Sequence, residues 1–244
     1  MDNVRRLRAK MQEQNVDLIV LSPGSNLTWL LGVIPHADER PLLFFLTLSK
    51  SAFLMPELEA DSVRQQTDIK FYNWSDASGP LKAINEILTD LKEFSYRTIV
   101  IDDTMRADHA ALVQDKLLNS SRLFTGSTIG ALRMQKADTE QKILRLNANQ
   151  ADLAMERAWD LIKPGVTEEE IALAIQNSFS DQGALPQFSI VASGSNSAFP
   201  HHQTGSRTLK EGDAIVIDLG GKFEGYTSDI TRMSTIGSPS KDYA

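Results

Sequence analysis

The pattern of apolar residues changes about halfway along this chain, and the change limits what it can fold into. In the first half, short apolar runs alternate with amphipathic stretches. LIVL (residues 18–21), LLFFLTL (42–48), AFLM (52–55), IKFYNW (69–74) and TIVI (98–101) read as strands, several of them closed by turn-forming residues such as Ser22-Pro23-Gly24. Between and before them, Val4, Leu7 and Met11, then Leu81, Ile84, Leu88 and Leu91, recur at helical spacing, and ADHAALVQDKLL (107–118) suits a further helix. Strands alternating with helices predict an α/β domain with a mixed or largely parallel sheet. It is placed at residues 1–127, ending in the small-residue stretch TGSTIG.

The second half reads differently. Asp138 with Gln141 has the pattern of a capping box, and Leu144, Ala148, Ala151, Met155, Ala158 and Ile162 continue as a long helix until Pro164-Gly165. Thr167 and Glu170 form a second capping box, followed by Ile171, Ala174, Ile175 and Phe179 up to Gly183. After that come only strand-like segments: QFSIVAS (187–193), DAIVIDLG (213–220) and GYTSDITRMSTI (225–236). Two helices followed by antiparallel-looking strands predict an α+β unit over residues 128–244.

Composition excludes several functions. The chain has no cysteine, so neither disulfides nor Cys-ligated zinc are available. A net charge of −7 argues against a nucleic-acid-binding surface, and no polybasic patch points to a membrane. The N-terminus MDNVRRLRAKMQEQNVD lacks the apolar core of a secretory signal, and the longest apolar runs are far too short to span a bilayer. A cytoplasmic protein is the expectation.

The residues able to carry chemistry are few. Asp218 ends the run Ala214–Ile217, which is apolar throughout and predicts a strand buried on both faces. Asp229 follows eleven residues later, across a turn drawn at Gly220-Gly221 through Gly225. Two carboxylates brought together repel unless a cation lies between them, and oxygen ligands suit a hard or borderline divalent ion. The spacing alone is a weak motif, which a turn cap and a solvated surface residue explain more simply. His36 and His109 stand in polar contexts typical of surface histidines. DDTMRADH (102–109) lies at a strand-to-helix junction, where Asp and Thr are common caps. His201 and His202 follow the loop ASGSNSAFP, where a histidine serves equally well as a proton shuttle or as an exposed loop residue. SGSNS lacks the Lys-Ser/Thr of a nucleotide loop and has no helix after it, and no serine sits in a G-x-S-x-G elbow.

Taken together, these segments resemble a known family. SGSNSAFPHHQTGSRTLKEGDAIVIDLGGKFEGYTSDITR resembles the core signature of the creatinase/aminopeptidase P/prolidase group, the M24-type "pita-bread" metallopeptidases. LIKPGVTEEEIA resembles the group's Lys-Pro-Gly-x-Thr-Glu segment, and LRMQKADTEQKILRLNANQAD its linker and first catalytic-domain helix. NLTWLLG and DERPLLFFL are similar to the smaller N-terminal domain that accompanies the catalytic one. The resemblance covers essentially the whole chain. It implies an α/β N-terminal domain followed by a partial α+β pita-bread catalytic domain.

Carried over residue by residue, Asp218 and Asp229 fall on the family's two metal-binding aspartates. His201, five residues after Asn196 and seventeen before Asp218, falls on the histidine that stabilises the substrate or its tetrahedral intermediate. His202 matches no fixed role. The implied activity is metal-assisted hydrolysis of X-Pro peptide bonds, as an aminopeptidase or a dipeptidase. The implied cofactors are two divalent ions, manganese first, with cobalt or zinc as alternatives. The substrate would be a short proline-containing peptide, and the full-length form a homodimer. Within that dimer Trp29 would reach a neighbouring site, although a core aromatic is the simpler reading. The family's other ligands, a His and two Glu, have no counterpart before Ala244. SPSKDYA, with Ser238 and Ser240 as caps, reads as the start of a helix, so the chain is expected to be an inactive fragment of a longer protein. Two other functions share the fold: a metal-free creatinase-like amidinohydrolase and a non-catalytic binding module. The first shares the histidine, so retention of both aspartates speaks against it; retention of Asp218, Asp229 and His201 speaks against the second.

Overall fold

The runs LIVL and LFFL are apolar at every position because they have two covered faces. In β1 (Leu18–Leu21), Ile19 and Leu21 enter one core while Leu18 and Val20 enter the other. In β2 (Leu43–Leu46), Phe44 and Leu46 divide from Leu43 and Phe45 in the same way. The computed structural model describes residues 2–92 and 95–238 and divides into two compact units, Met1–Lys136 and Ala137–Ala244.

The first unit is built on a six-stranded sheet. Its remaining strands are β3 (Ser51–Pro56), β4 (Phe71–Trp74), β5 (Thr98–Ile101) and β6 (Ser121–Phe124), and the order across the sheet is β4-β3-β2-β1-β5-β6. The sheet is mixed. β2 is antiparallel to both its neighbours, whereas the pairs β3–β4, β1–β5 and β5–β6 are parallel. On one face lie Leu7 and Met11 of α1 (Asp2–Glu13), Leu27 and Leu30 of α2 (Ser25–Leu31), Val63 of α3 (Glu57–Arg64) and Ile129 of α6 (Ile129–Met134). On the other lie Ile84 and Ile87 of α4 (Leu81–Asp90) and Val113 of α5 (Ala107–Gln114). The unit therefore includes α6, which the boundary expected at residues 127/128 would have cut away from the core it packs on.

Other differences have local causes. The sequence shows no strand at β6 because all four of its residues are exposed on a sheet edge. His109 is buried rather than on the surface, at 5% exposure, with Nε2 3.0 Å from the carbonyl of Glu39. Asp102 is buried beyond β5, where it accepts from the Ser22 amide, the Asn26 amide group and Thr104. Asp103 accepts from Thr125 beyond β6. These aspartates tie strand ends together. Trp29 packs against the first core with the Arg6 guanidinium 5.7 Å from its ring centroid.

The second unit packs two helices on one face of a small sheet. The helices α7 (Asp138–Trp159) and α8 (Glu168–Asp181) lie against β7 (Leu185–Ser193), β8 (Ala214–Phe223) and β10 (Ile230–Thr235), ordered β10-β8-β7, with the short β9 (Tyr226–Thr227) paired to β8. Asp138 is the first residue of α7 rather than its cap, and the Glu140 carboxylate accepts from the Ala137 amide at 2.7 Å. The second capping box is formed as the sequence indicates. The Glu170 amide donates to Thr167 Oγ1 at 3.2 Å, and the Thr167 amide donates to the Glu170 carboxylate at 2.7 Å. Among the described residues no helix is long and apolar enough to cross a membrane. Ser240 and the helix expected to follow it lie outside the described residues.

Candidate functional site

Strand β8 is not buried on both faces. Ile215, Ile217 and Leu219 are buried against the helices, whereas Val216 and Asp218 are only half-buried on the other side. That second face also carries Met233, which lies across from Val216 and is 55% exposed. Asp218 therefore leaves the apolar core through the ordinary alternation of a strand, and its burial cost is modest.

The Gly-rich segment is not the turn either. Gly220 and Gly221 lie inside β8, where a Cβ on Gly220 would strike the ring of Phe188 and one on Gly221 the ring of Phe179. The reversal is made by two residues, Glu224 and Gly225, with φ of 50° and 82°. Two successive left-handed residues are the backbone of a type I′ hairpin turn. The tip is tied to α7 by the Tyr226 hydroxyl, which donates to Glu140 at 2.6 Å.

The hairpin register places the two aspartates. Phe223 pairs with Tyr226, Lys222 with Thr227, Leu219 with Ile230 and Asp218 with Thr231. Ser228 and Asp229 fall between the two paired segments, where the Ser228 amide donates to the Gly221 carbonyl at 2.9 Å and the Gly221 amide to the Ser228 hydroxyl at 3.2 Å; the register is the same on both sides, which sets Asp229 across from Gly220. Asp218 and Asp229 are thus diagonal neighbours on one face, a separation of about 7–8 Å that long or polar side chains can close. Thr231 Oγ1 donates to Asp218 Oδ1 at 2.7 Å. Asp229 is exposed, and among the described residues no hydrogen bond reaches its carboxylate. One oxygen of Asp218 and both of Asp229 remain open acceptors.

The histidine loop joins β7 to β8. It begins with a single 3-10 turn, Gly194–Ala198, so SGSNS is itself a tight turn. It returns along the start of α8, with the amides of Glu168 and Glu169 donating to the carbonyls of Arg207 and Gly205. Arg207 forks onto Asp213 at 2.6 and 2.9 Å, and its guanidinium holds the Asp213 carboxyl below the usual carboxylate range.

Glu168 is a functional candidate that sequence reasoning missed. Its residue is 0% exposed, although it stands among three successive glutamates at a helix start and reads as a solvated first turn. Oε1 accepts from the Ser193 amide at 2.8 Å, from Ser193 Oγ at 2.6 Å and from Asn196 Nδ2 at 3.0 Å. Oε2 lies 2.9 Å from His202 Nε2 and accepts from the Gly205 amide at 3.4 Å. Burial alone pushes this carboxyl up, but hydrogen bonds from Ser193, His202 and Asn196 outweigh it and hold the pKa below the ordinary glutamate value. The only available sign in the sequence was three residues from one loop, Ser193, Asn196 and His202, each needing a partner. His202 is therefore held, and His201 beside it is exposed with no side-chain hydrogen bond among the described residues.

The structure thus brings Asp218 and Asp229 onto one face and leaves His201 on the adjoining loop. Among the described residues no three or more His, Asp or Glu side chains converge as a metal-holding group. The two aspartates nevertheless fit one side of such a group, because they offer open carboxylate oxygens on one face with Asp218 oriented by a threonine hydroxyl.

Comparison with known proteins bears on the family of the chain. Residues 3–135 match the Creatinase/Prolidase N-terminal domain, and residues 142–244 match metallopeptidase family M24. A probable dipeptidase PepE of Mycobacterium tuberculosis is 31% identical over 93% of this chain and 61% of its own length. An Xaa-Pro dipeptidase of Pyrococcus horikoshii is 26% identical over 98% of this chain and 66% of its own length. The crystal structure of a recombinant prolidase from Thermococcus sibiricus superposes with a TM-score of 0.88 at 27% identity, covering 98% of this chain and 66% of that one. The chain thus spans under two thirds of the length of these relatives. With an α/β N-terminal domain and a partial α+β pita-bread domain each matched in order, the chain belongs to the creatinase/aminopeptidase P/prolidase family, whose catalytic domain is the M24 metallopeptidase fold.

Proposed function

We propose that this chain is the N-terminal part of a metal-dependent Xaa-Pro peptidase, and that Asp218 and Asp229 form one side of its metal centre. The observation that carries the reading is the hairpin register, the same on both sides of Ser228 and Asp229, which sets two carboxylates with open oxygens diagonally on one face. Asp218 and Asp229 would hold two divalent ions, manganese in preference to cobalt or zinc, together with a His and two Glu beyond residue 244. Bound there, the ions would supply Lewis acidity and lower the pKa of water into the neutral range. Thr231 keeps Asp218 in one rotamer through its hydroxyl. His201, exposed on its loop, donates a hydrogen bond to the carbonyl oxygen of a short peptide with proline after the scissile bond. The longer protein acts as a homodimer in the cytoplasm.

The mycobacterial and archaeal dipeptidases support the substrate class, and their greater length supports the division of the metal cage. The reading predicts that the 244-residue chain alone does not hydrolyse an X-Pro dipeptide with Mn²⁺ present, whereas a form extended to the length of its relatives does. Robust cleavage by the short chain, or none by the extended one, would overturn it.

A further inference from the structure

A fully buried carboxylate that gathers one loop from five donors does more than cap a helix. Thr167 already caps α8, and Glu168 contributes nothing to that cap. Its donors instead come from both arms of the histidine loop: Ser193 and Asn196 at its start, His202 in its middle and Gly205 on its return. The loop is fixed again from below, where Arg207 reaches both Ser193 Oγ and Asp213. Gly194, at φ 53°, permits this, because a Cβ there would meet the Arg207 guanidinium.

The chemistry of the contact decides the state of His202. An ionised carboxylate only accepts, so the nitrogen facing it must carry a proton. His202 is thereby locked through Nε2–H, and its side chain is only 16% exposed. Its neighbour His201 is exposed.

We propose that Glu168 is the positioning residue of the peptidase reaction: it anchors His202 and both arms of the loop, so that His201 is presented to substrate from one fixed place. The role rests on the proposed peptidase function, but its structural core does not. Reaching both loop arms requires a carboxylate, because a carboxamide replaces one acceptor oxygen with a donor that faces Asn196 and Ser193, or His202 and Gly205.

The test uses the 244-residue chain and needs no activity. Three proteins are compared by NMR and amide hydrogen exchange: wild type, Glu168→Gln, and Thr167→Ala, which removes a hydroxyl that bonds only to Glu170 and leaves the backbone bridge to Thr208 in place. The wild type should show a slowly exchanging imidazole Nε2–H on His202. Glu168→Gln should lose that signal and raise exchange at Ser193 and Gly205 at least tenfold, while the interior amides of α8 and β8 stay protected. Thr167→Ala should keep the His202 signal. The proposal is overturned if Glu168→Gln leaves the His202 proton and loop protection unchanged, or if Thr167→Ala disturbs them equally. In an extended, active form, Glu168→Gln should lower kcat at least tenfold with KM held within about twofold, and an unchanged kcat would also overturn the proposal. Absence of activity in every protein would instead count against the peptidase reading and leave the loop result to decide.

Discussion

Gly221→Ala should destabilise the second unit, and part of that cost should be relieved when Phe179 is made smaller. Gly221 lies inside β8 on the helix-facing side, and a Cβ there would overlap the ring of Phe179. That ring is 0% exposed and packed among Ile175, Leu219 and their neighbours, so it cannot swing into solvent. Forcing a methyl into a filled core costs ~1–3 kcal/mol, and the rigid ring places this case in the upper half of that range. Phe179→Leu alone leaves a void, at about half the ~3–5 kcal/mol of a Phe→Ala change. In the double variant the alanine methyl fills part of the void, so the combined loss should fall short of additivity by ~1 kcal/mol or more. Urea unfolding followed by far-ultraviolet circular dichroism gives the four midpoints of the cycle. Strict additivity, or a Gly221→Ala midpoint equal to wild type, would refute the strand placement and restore Gly220-Gly221 as a flexible turn.

Further outcomes follow from the same geometry. Glu224→Asn should stabilise by ~0.5–1 kcal/mol, because Glu224 adopts φ 50° in a type I′ turn that favours Asn-Gly; a loss in chemical denaturation would contradict the turn type. Asp213 and Glu168 both have depressed pKa values, the first through Arg207 and the second through its hydrogen bonds against burial. Such carboxylates stabilise the fold above their unfolded pKa, near 4, and that stability drains away as pH falls through the lower folded values. Arg207→Gln should therefore flatten the acid side of the stability–pH curve, and an unaltered slope would show that the Asp213 fork is not its source. Asp218→Asn should leave the unfolding free energy measured in urea within ~0.5 kcal/mol of wild type, since the side chain stands on the face away from the helices.

How much of this was legible in the sequence depended on which force placed each residue. Strands β1 and β5 were readable to the residue because two covered faces demand unbroken apolar runs. The Thr167–Glu170 box was readable because capping is local chemistry. Four elements were not. Helices α2, α3 and α6 run only 7, 8 and 6 residues, too short for a periodic stripe, and β6 has no buried residue at all. At the site, the pair Asp218 and Asp229 was visible as a spacing, but their common face needed the register, which a Glu-Gly turn sets and the upstream glycines disguise. Glu168 was hidden for a different reason. Its burial comes from a loop more than twenty residues away, and nothing in the run of three glutamates distinguishes the first from the others.

The central claim is that Asp218 and Asp229 face a common metal position, and paramagnetic broadening tests it even where binding is weak. Substoichiometric Mn²⁺ is titrated into the isotopically labelled chain while its backbone amides are observed. Broadening should centre on residues 218 and 229 and their strand neighbour Thr231, and both Asp218→Asn and Asp229→Asn should abolish it. Broadening centred elsewhere on the chain, or unchanged by either substitution, would contradict it.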